Sequence, residues 1–153
     1  MSTTDEEIAT ACVLHMDVLV KAIPAFNGQA FHIYSEDDLR AQQKGLIIPS
    51  VGIVYDGMRA VQDSRPGDGR VAGGRGSTAD LMVTVMAFFR NLPQGDADQK
   101  LGMIRAIGAL RKTIVRSRSP TGHFWRFQVE APVSGKDGLL VYVQKYATAV
   151  QLV

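Results

Sequence analysis

The sequence has 153 residues, 46% of them hydrophobic and 21% charged. That composition fits one compact domain and excludes a disordered chain or a fibrous repeat. The single Cys12 rules out an internal disulfide, the best apolar run is cut by Asp17 before it can span a bilayer, and a net charge of +2 is modest for a nucleic-acid binder.

The opening segment Ser2-Thr3-Thr4-Asp5-Glu6-Glu7 is polar and acidic, the opposite of a secretory leader. Thr3 and Thr4, each followed three residues on by a glutamate, offer two overlapping capping boxes. Ile8, Cys12, Leu19 and Ile23 then recur at helical spacing, which predicts a helix from Asp5 to Ile23 that stops before Pro24. Val13, Leu14 and Val20 fall outside that stripe and are available either to the core or to a subunit contact. His15 lies on the apolar side, and a packed histidine outweighs a metal ligand because no second His or Cys sits at ligand spacing.

An Asn27-Gly28 turn leads to an alternating strand, Gln29 to Tyr34. Ser35 followed by Glu36-Asp37-Asp38 reads as a cap and an acidic first turn of a short helix that ends near Gly45. A strand starts around Pro49 with Val51, Ile53 and Tyr55 on one face, and Gly52 on the other allows a helix to approach closely. Residues 57–78 hold six glycines, Pro66 and the arginines Arg59, Arg65, Arg70 and Arg75. They read as a long mobile loop at the tip of a hairpin. Gly73 to Thr78 is not a phosphate loop, since it lacks the lysine and leads into a strand.

Ala79 to Arg90 is apolar on both faces and therefore a central strand. Asp96 or Asp98 caps a second helix, Ala97 to Val115, whose buried stripe is Met103, Ile107, Leu110 and Ile114. Two strands close the chain: His123 to Ala131, then Leu139 to Leu152 after an Asp137-Gly138 turn. The predicted fold is a single α+β domain over 1–153. It is a mostly antiparallel sheet flanked by two main helices, with a long Gly/Arg-rich hairpin loop.

Charge is unevenly spread. Residues 1–38 carry seven acids and one base, whereas Gln99 to Val129 carries seven bases and no acid. Arg105, Lys112 and Arg116 fall together opposite the buried stripe of the second helix. A solvated face, a set of phosphate contacts and a subunit boundary all use such residues. Catalytic constellations are missing: there is no His-Glu-x-x-His, no Cys pair and no nucleophile elbow. Glu36-Asp37-Asp38 diverge around a helical turn and suit capping better than a cation. Trp125 beside Arg126 suits core packing better than a base-stacking platform. The expectation is a non-enzyme without cofactor or metal.

The order of elements, together with Pro49-Ser50-Val51-Gly52-Ile53-Val54-Tyr55-Asp56-Gly57, the strand Ala79 to Pro93, Gly122-His123-Phe124-Trp125 and Lys136-Asp137-Gly138, resembles the tail terminator proteins of long-tailed bacteriophages. The resemblance covers nearly the whole chain. It implies a structural virion protein, assembled in the host cytoplasm, whose copies form a six-membered ring at the head-proximal end of the tail tube. Such a ring ends tube polymerisation and joins the tail to the head. The implied partners are further copies of the chain, the tail tube protein, a head–tail connector or other neck protein, and DNA passing through the lumen, with no membrane. On this reading Arg105, Lys112 and Arg116 form the basic side of a subunit interface, and Glu36, Asp37 and Asp38 the acidic side. Arg59, Arg65, Arg70 and Arg75 belong to a partner-docking loop. The rivals are another head–tail joining or tail-completion protein and, from a different class, a nucleic-acid-binding module that uses helix 97–115 and loop 57–78.

Overall fold

The computed structural model describes residues 4–33, 48–61, 78–90, 97–133 and 138–152. They form two helices, α1 (Asp5–Lys21) and α2 (Ala97–Val115), and five strands: β1 (Ala30–Ile33), β2 (Ser50–Ala60), β3 (Thr78–Arg90), β4 (Arg126–Val133) and β5 (Leu139–Gln151). The strands make one sheet in the order β1-β2-β3-β5-β4. The first pair is parallel and the other three antiparallel, so the sheet is mixed and the fold is α+β.

Of the two possible capping boxes at the start of α1, one forms. Thr4 Oγ1 accepts from the Glu7 N–H, and Glu7 reaches back to the Thr4 N–H. The buried stripe of α1 is Ala9, Cys12, Met16 and Val20. Val20 therefore belongs to the core, contrary to the expectation that it lies outside the stripe. Leu14 (53% exposed) does face solvent, and so does Val18 (63%), although its spacing sets it beside the expected stripe. Beyond α1, a 3-10 turn at Pro24–Phe26 ends on Asn27 and Gly28, both at positive φ, and swings the chain into β1.

β3 lies between β2 and β5; it is buried on the helix face and, at Thr84 and Phe88, on the other, with Met82 and Met86 half-buried there. Its Leu81, Val83, Val85 and Phe89 face the helices. They meet Val51 and Ile53 of β2, Tyr146 of β5, the α1 stripe, and Ile107, Leu110 and Ile114 of α2 in one core. Each such aliphatic side chain contributes about 1.5–3 kcal/mol on burial. On the other face Phe88 is fully buried, its ring 5.6 Å from that of Phe31.

Gly52 faces the same way as Phe31 and Ile33. A Cβ there would stand 2.6 Å from Ile33 Cδ1 and 3.1 Å from the Phe31 ring. The glycine thus makes room for side chains of the neighbouring strand, not for the helix expected from the sequence.

Several boundaries shift. β2 continues to Ala60 across a bulge between Tyr55 and Gly57, where Gly57 takes φ +93°. Arg59 accordingly sits in a strand opposite Asp80, not in the loop, and Thr78 already belongs to β3. The rest of that loop, with Arg65, Arg70 and Arg75, lies outside the described residues, as do Glu36, Asp37, Asp38 and the short helix assigned to them. Asp98 is inside the first turn of α2 and so does not cap it; Asp96 is outside the described residues. β4 begins at Arg126, since Phe124 forms only an isolated bridge to Arg118 and Trp125 a link between them.

Candidate assembly surfaces

The seven bases between Gln99 and Val129 divide into two groups. Arg111 pairs with Glu130 at 2.6 Å and lies over the Phe127 ring. Arg126 pairs with Asp80, and Arg118 lies 4.8 Å from the Phe124 ring centroid. These three are tied to the fold. Lys100, Arg105, Lys112 and Arg116 are exposed, with no ion pair among the described residues. The three residues expected at a basic boundary thus lie together on the outer side of the α2 end, opposite Ala106, Ile107, Leu110 and Ile114.

Two apolar residues share that outer stripe: Leu101 (46% exposed) and Ile104 (59%). The expected buried pattern did not include them, although Leu101 stands four residues before Arg105, and Ile104 stands four before Gly108 and eight before Lys112 along one row of the helix. A helix whose outer stripe is apolar at its N-terminal half and basic at its C-terminal half departs from an ordinary solvated face.

The acidic counterpart lies at the β1–β2 end of the sheet. Beside α1 runs a groove of about 590 Å³, walled by Ala9, Val13 and Leu14 of the helix and by Val54, Tyr55 and Met58 of β2. Asp5 and Glu6 close its N-terminal end, and His32 and Ile33 of β1 line the edge-strand side. Glu7 is occupied by the capping box, while the Glu6 carboxylate has no partner among the described residues. Further along, Asp17 binds Lys21 at 2.9 Å and His32 at 3.3 Å, which fixes the lower end of α1 against β1. Leu14 and Val13 were identified in the sequence as possible contact residues. In the sequence Glu6 reads as a capping-box acid and Asp5 as the helix start, both within the acidic first third, and nothing there brings β2 alongside them.

Between the helices the chain is held by polar contacts. The link after α2 folds back through Ser119 N–H to the His123 carbonyl (2.8 Å) and Trp125 N–H to the Ser117 carbonyl (3.2 Å). Trp125 is thereby buried, and its Nε1–H donates to His15 Nδ1 at 3.1 Å with the rings stacked. Burial holds the His15 imidazole below its ordinary pKa of 6.5, in the neutral form that can accept this bond. Beneath it, Ser119 Oγ, Thr121 Oγ1 and Thr148 Oγ1 satisfy one another at 2.7–3.2 Å, with the His123 carbonyl as a further acceptor.

A second network runs from Tyr146 O–H to Gln144 Oε1 (2.7 Å), and from Gln144 Nε2 to Glu130 (2.6 Å) and to the Ile107 carbonyl (3.1 Å). Burial, with the Glu130 charge second, raises the Tyr146 phenol pKa.

Among the described residues no base lies within hydrogen-bonding reach of the hydroxyl cluster, and burial pushes the Cys12 thiol up to about 11, far from a thiolate. Among the described residues no group of three or more His, Cys, Asp or Glu is placed to hold a metal, and no helix is long and apolar enough to cross a membrane. What the geometry offers is a basic outer side on α2, beside β4, and an acid-rimmed apolar groove at the β1–β2 end of the same sheet. No protein-family model matches the chain, and no curated protein matches its sequence.

Proposed function

We propose that this chain is a ring-forming structural protein of a phage neck, of the tail-terminator kind. Its copies join head to tail in a ring, six-membered as in the family it resembles. The ring seats on the head-proximal end of the tail tube, ends tube growth and presents a surface to the head–tail connector. One observation carries the reading: α2, which packs beside β4, carries exposed bases on its outer side, and the acid-rimmed groove lies between α1 and the β1–β2 end of the same sheet. A contact that uses both surfaces leaves one of each free at either end, so it propagates until rotation closes it into a ring. Complementary charge then fixes the direction of joining more than its strength. DNA would pass through the lumen without being read.

Native mass spectrometry over a concentration series, with negative-stain images of the largest species, tests this. A closed ring of about six copies supports it. A chain that stays monomeric at every concentration, and also in the presence of tail tubes, overturns it.

The exposure of Arg105, Lys112 and Arg116 also favours a second reading, a nucleic-acid-binding module. That reading requires the monomer to bind DNA tightly, with an affinity that falls steeply as salt is raised. Another neck or tail-completion protein would share the ring but leave tube ends uncapped, so adding rings to growing tubes and measuring tube length separates the two.

A further inference from the structure

We propose that the contact between copies is an antiparallel helix pairing, in which the outer stripe of α2 from one copy seats in the groove beside α1 of the next. This deepens the ring reading and rests on it for the number of copies joined. The occupant is a second copy of this chain because the two surfaces match in three respects.

The first is charge: Asp5 and Glu6 rim the groove, and Lys112 and Arg105 stand on the stripe.

The second is apolar surface. Leu14 and Val13 line the groove, Leu14 being more than half exposed, and Leu101 and Ile104 protrude from α2 without cover. Each set loses water when the two meet.

The third is spacing. Glu6 precedes Leu14 by eight residues, and Ile104 precedes Lys112 by eight, so in each helix the charge stands about 12 Å from its apolar contact. The order is acid then apolar in α1, and apolar then base in α2. Only an antiparallel arrangement brings Ile104 to Leu14 and Lys112 to Glu6 together. Gly108, midway along the stripe, then falls opposite Thr10, where small side chains let the helices approach. The same arrangement opposes the two helix dipoles favourably.

The contact is tested with single-cysteine variants. Leu14→Cys and Ile104→Cys proteins, both carrying Cys12→Ala, are purified separately, then mixed and oxidised with copper phenanthroline in air. Disulfide-linked pairs in the mixture, with none in either protein alone, support the pairing. In parallel, Lys112→Glu should raise the concentration at which rings dissociate by about tenfold or more, and Glu6→Lys added to the same chain should restore assembly. That rescue cannot come from a folding defect.

Rings that form normally without the crosslink, and that tolerate Ile104→Asp, overturn the pairing while leaving the ring reading intact. A crosslinked dimer that never grows supports the pairing and overturns the ring. Rings lost in Leu14→Asp but kept in Ile104→Asp show that the groove takes some other segment, which also overturns the pairing.

Discussion

β5 has two neighbours, and they are held in different ways. On one side, β3 runs beside it from end to end, Thr78 opposite Gln151 through Arg90 opposite Leu139, and is buried on the helix face and, at Thr84 and Phe88, on the other. On the other side, β4 is shorter, is broken by a bulge between Phe127 and Val129, and is exposed at almost every residue, with Phe127, Val129 and Val133 each more than 40% open to solvent. Apolar burial accounts for β3. It cannot account for β4, whose attachment depends on discrete polar contacts: Glu130 with Arg111 and Gln144, Arg126 with Asp80, and the Trp125 bond to His15 just upstream. A strand attached this way keeps its shape while its apolar surface stays available, and Pro132 near its end limits further strand addition.

The contrast can be broken most severely at β3. Leu81→Ala should cost about 2–5 kcal/mol, because the fully buried side chain leaves a cavity; chemical denaturation should show a lower midpoint at unchanged slope. Tyr146→Phe probes the β5 network that reaches across to β4. It leaves buried Gln144 Oε1 without its donor and should cost about 1–2 kcal/mol. A loss near zero would mean that the amide turns to find another partner.

A smaller, conditional effect comes from pH. The folded chain holds His15 neutral below its ordinary pKa of 6.5, while the unfolded chain takes up the proton normally. Stability is therefore complete above about 6.5 and falls as pH drops through that value toward the lowered one. His15→Gln, whose amide oxygen can still accept from Trp125, should flatten the dependence on thermal melts taken between those conditions. Least affected is the exposed side of β4: Val129→Thr should change stability by less than about 0.5 kcal/mol, and a larger loss would show that β4 depends on apolar cover after all.

The sequence carried the repeating elements clearly. α2 matched its expected range residue for residue, since period and charge agreed along it, and β3 was placed centrally because no single-faced strand is apolar on both sides. Less visible was whatever depends on residues far apart in the chain. Val20 falls outside a stripe drawn through Ile8, Cys12, Leu19 and Ile23, whereas the sheet buries Ala9, Met16 and Val20 together with Cys12. The parallel pairing of β1 with β2 sets the groove beside α1, and only that pairing turns Asp5 and Glu6 from capping residues into a rim. Leu101 and Ile104 are legible in principle, since Leu101 stands four residues before Arg105 and Ile104 eight before Lys112. A core drawn from apolar periodicity passes over apolar residues on the wet side.

The ladder between β3 and β5 also has a consequence for the order of events. Every rung joins residues separated by α2, the link after it and the whole of β4, so none can form until the late β4–β5 hairpin has been synthesised. Chains with such distant pairing fold more slowly than helical bundles of the same size, and until the hairpin arrives the long apolar edge of β3 is open to wrong partners. The chain must therefore be finished before β3 is paired on both sides. Cells that make this protein in bulk have reason to shelter the unfinished chain, and a culture grown cooler or induced more gently should yield a larger soluble fraction.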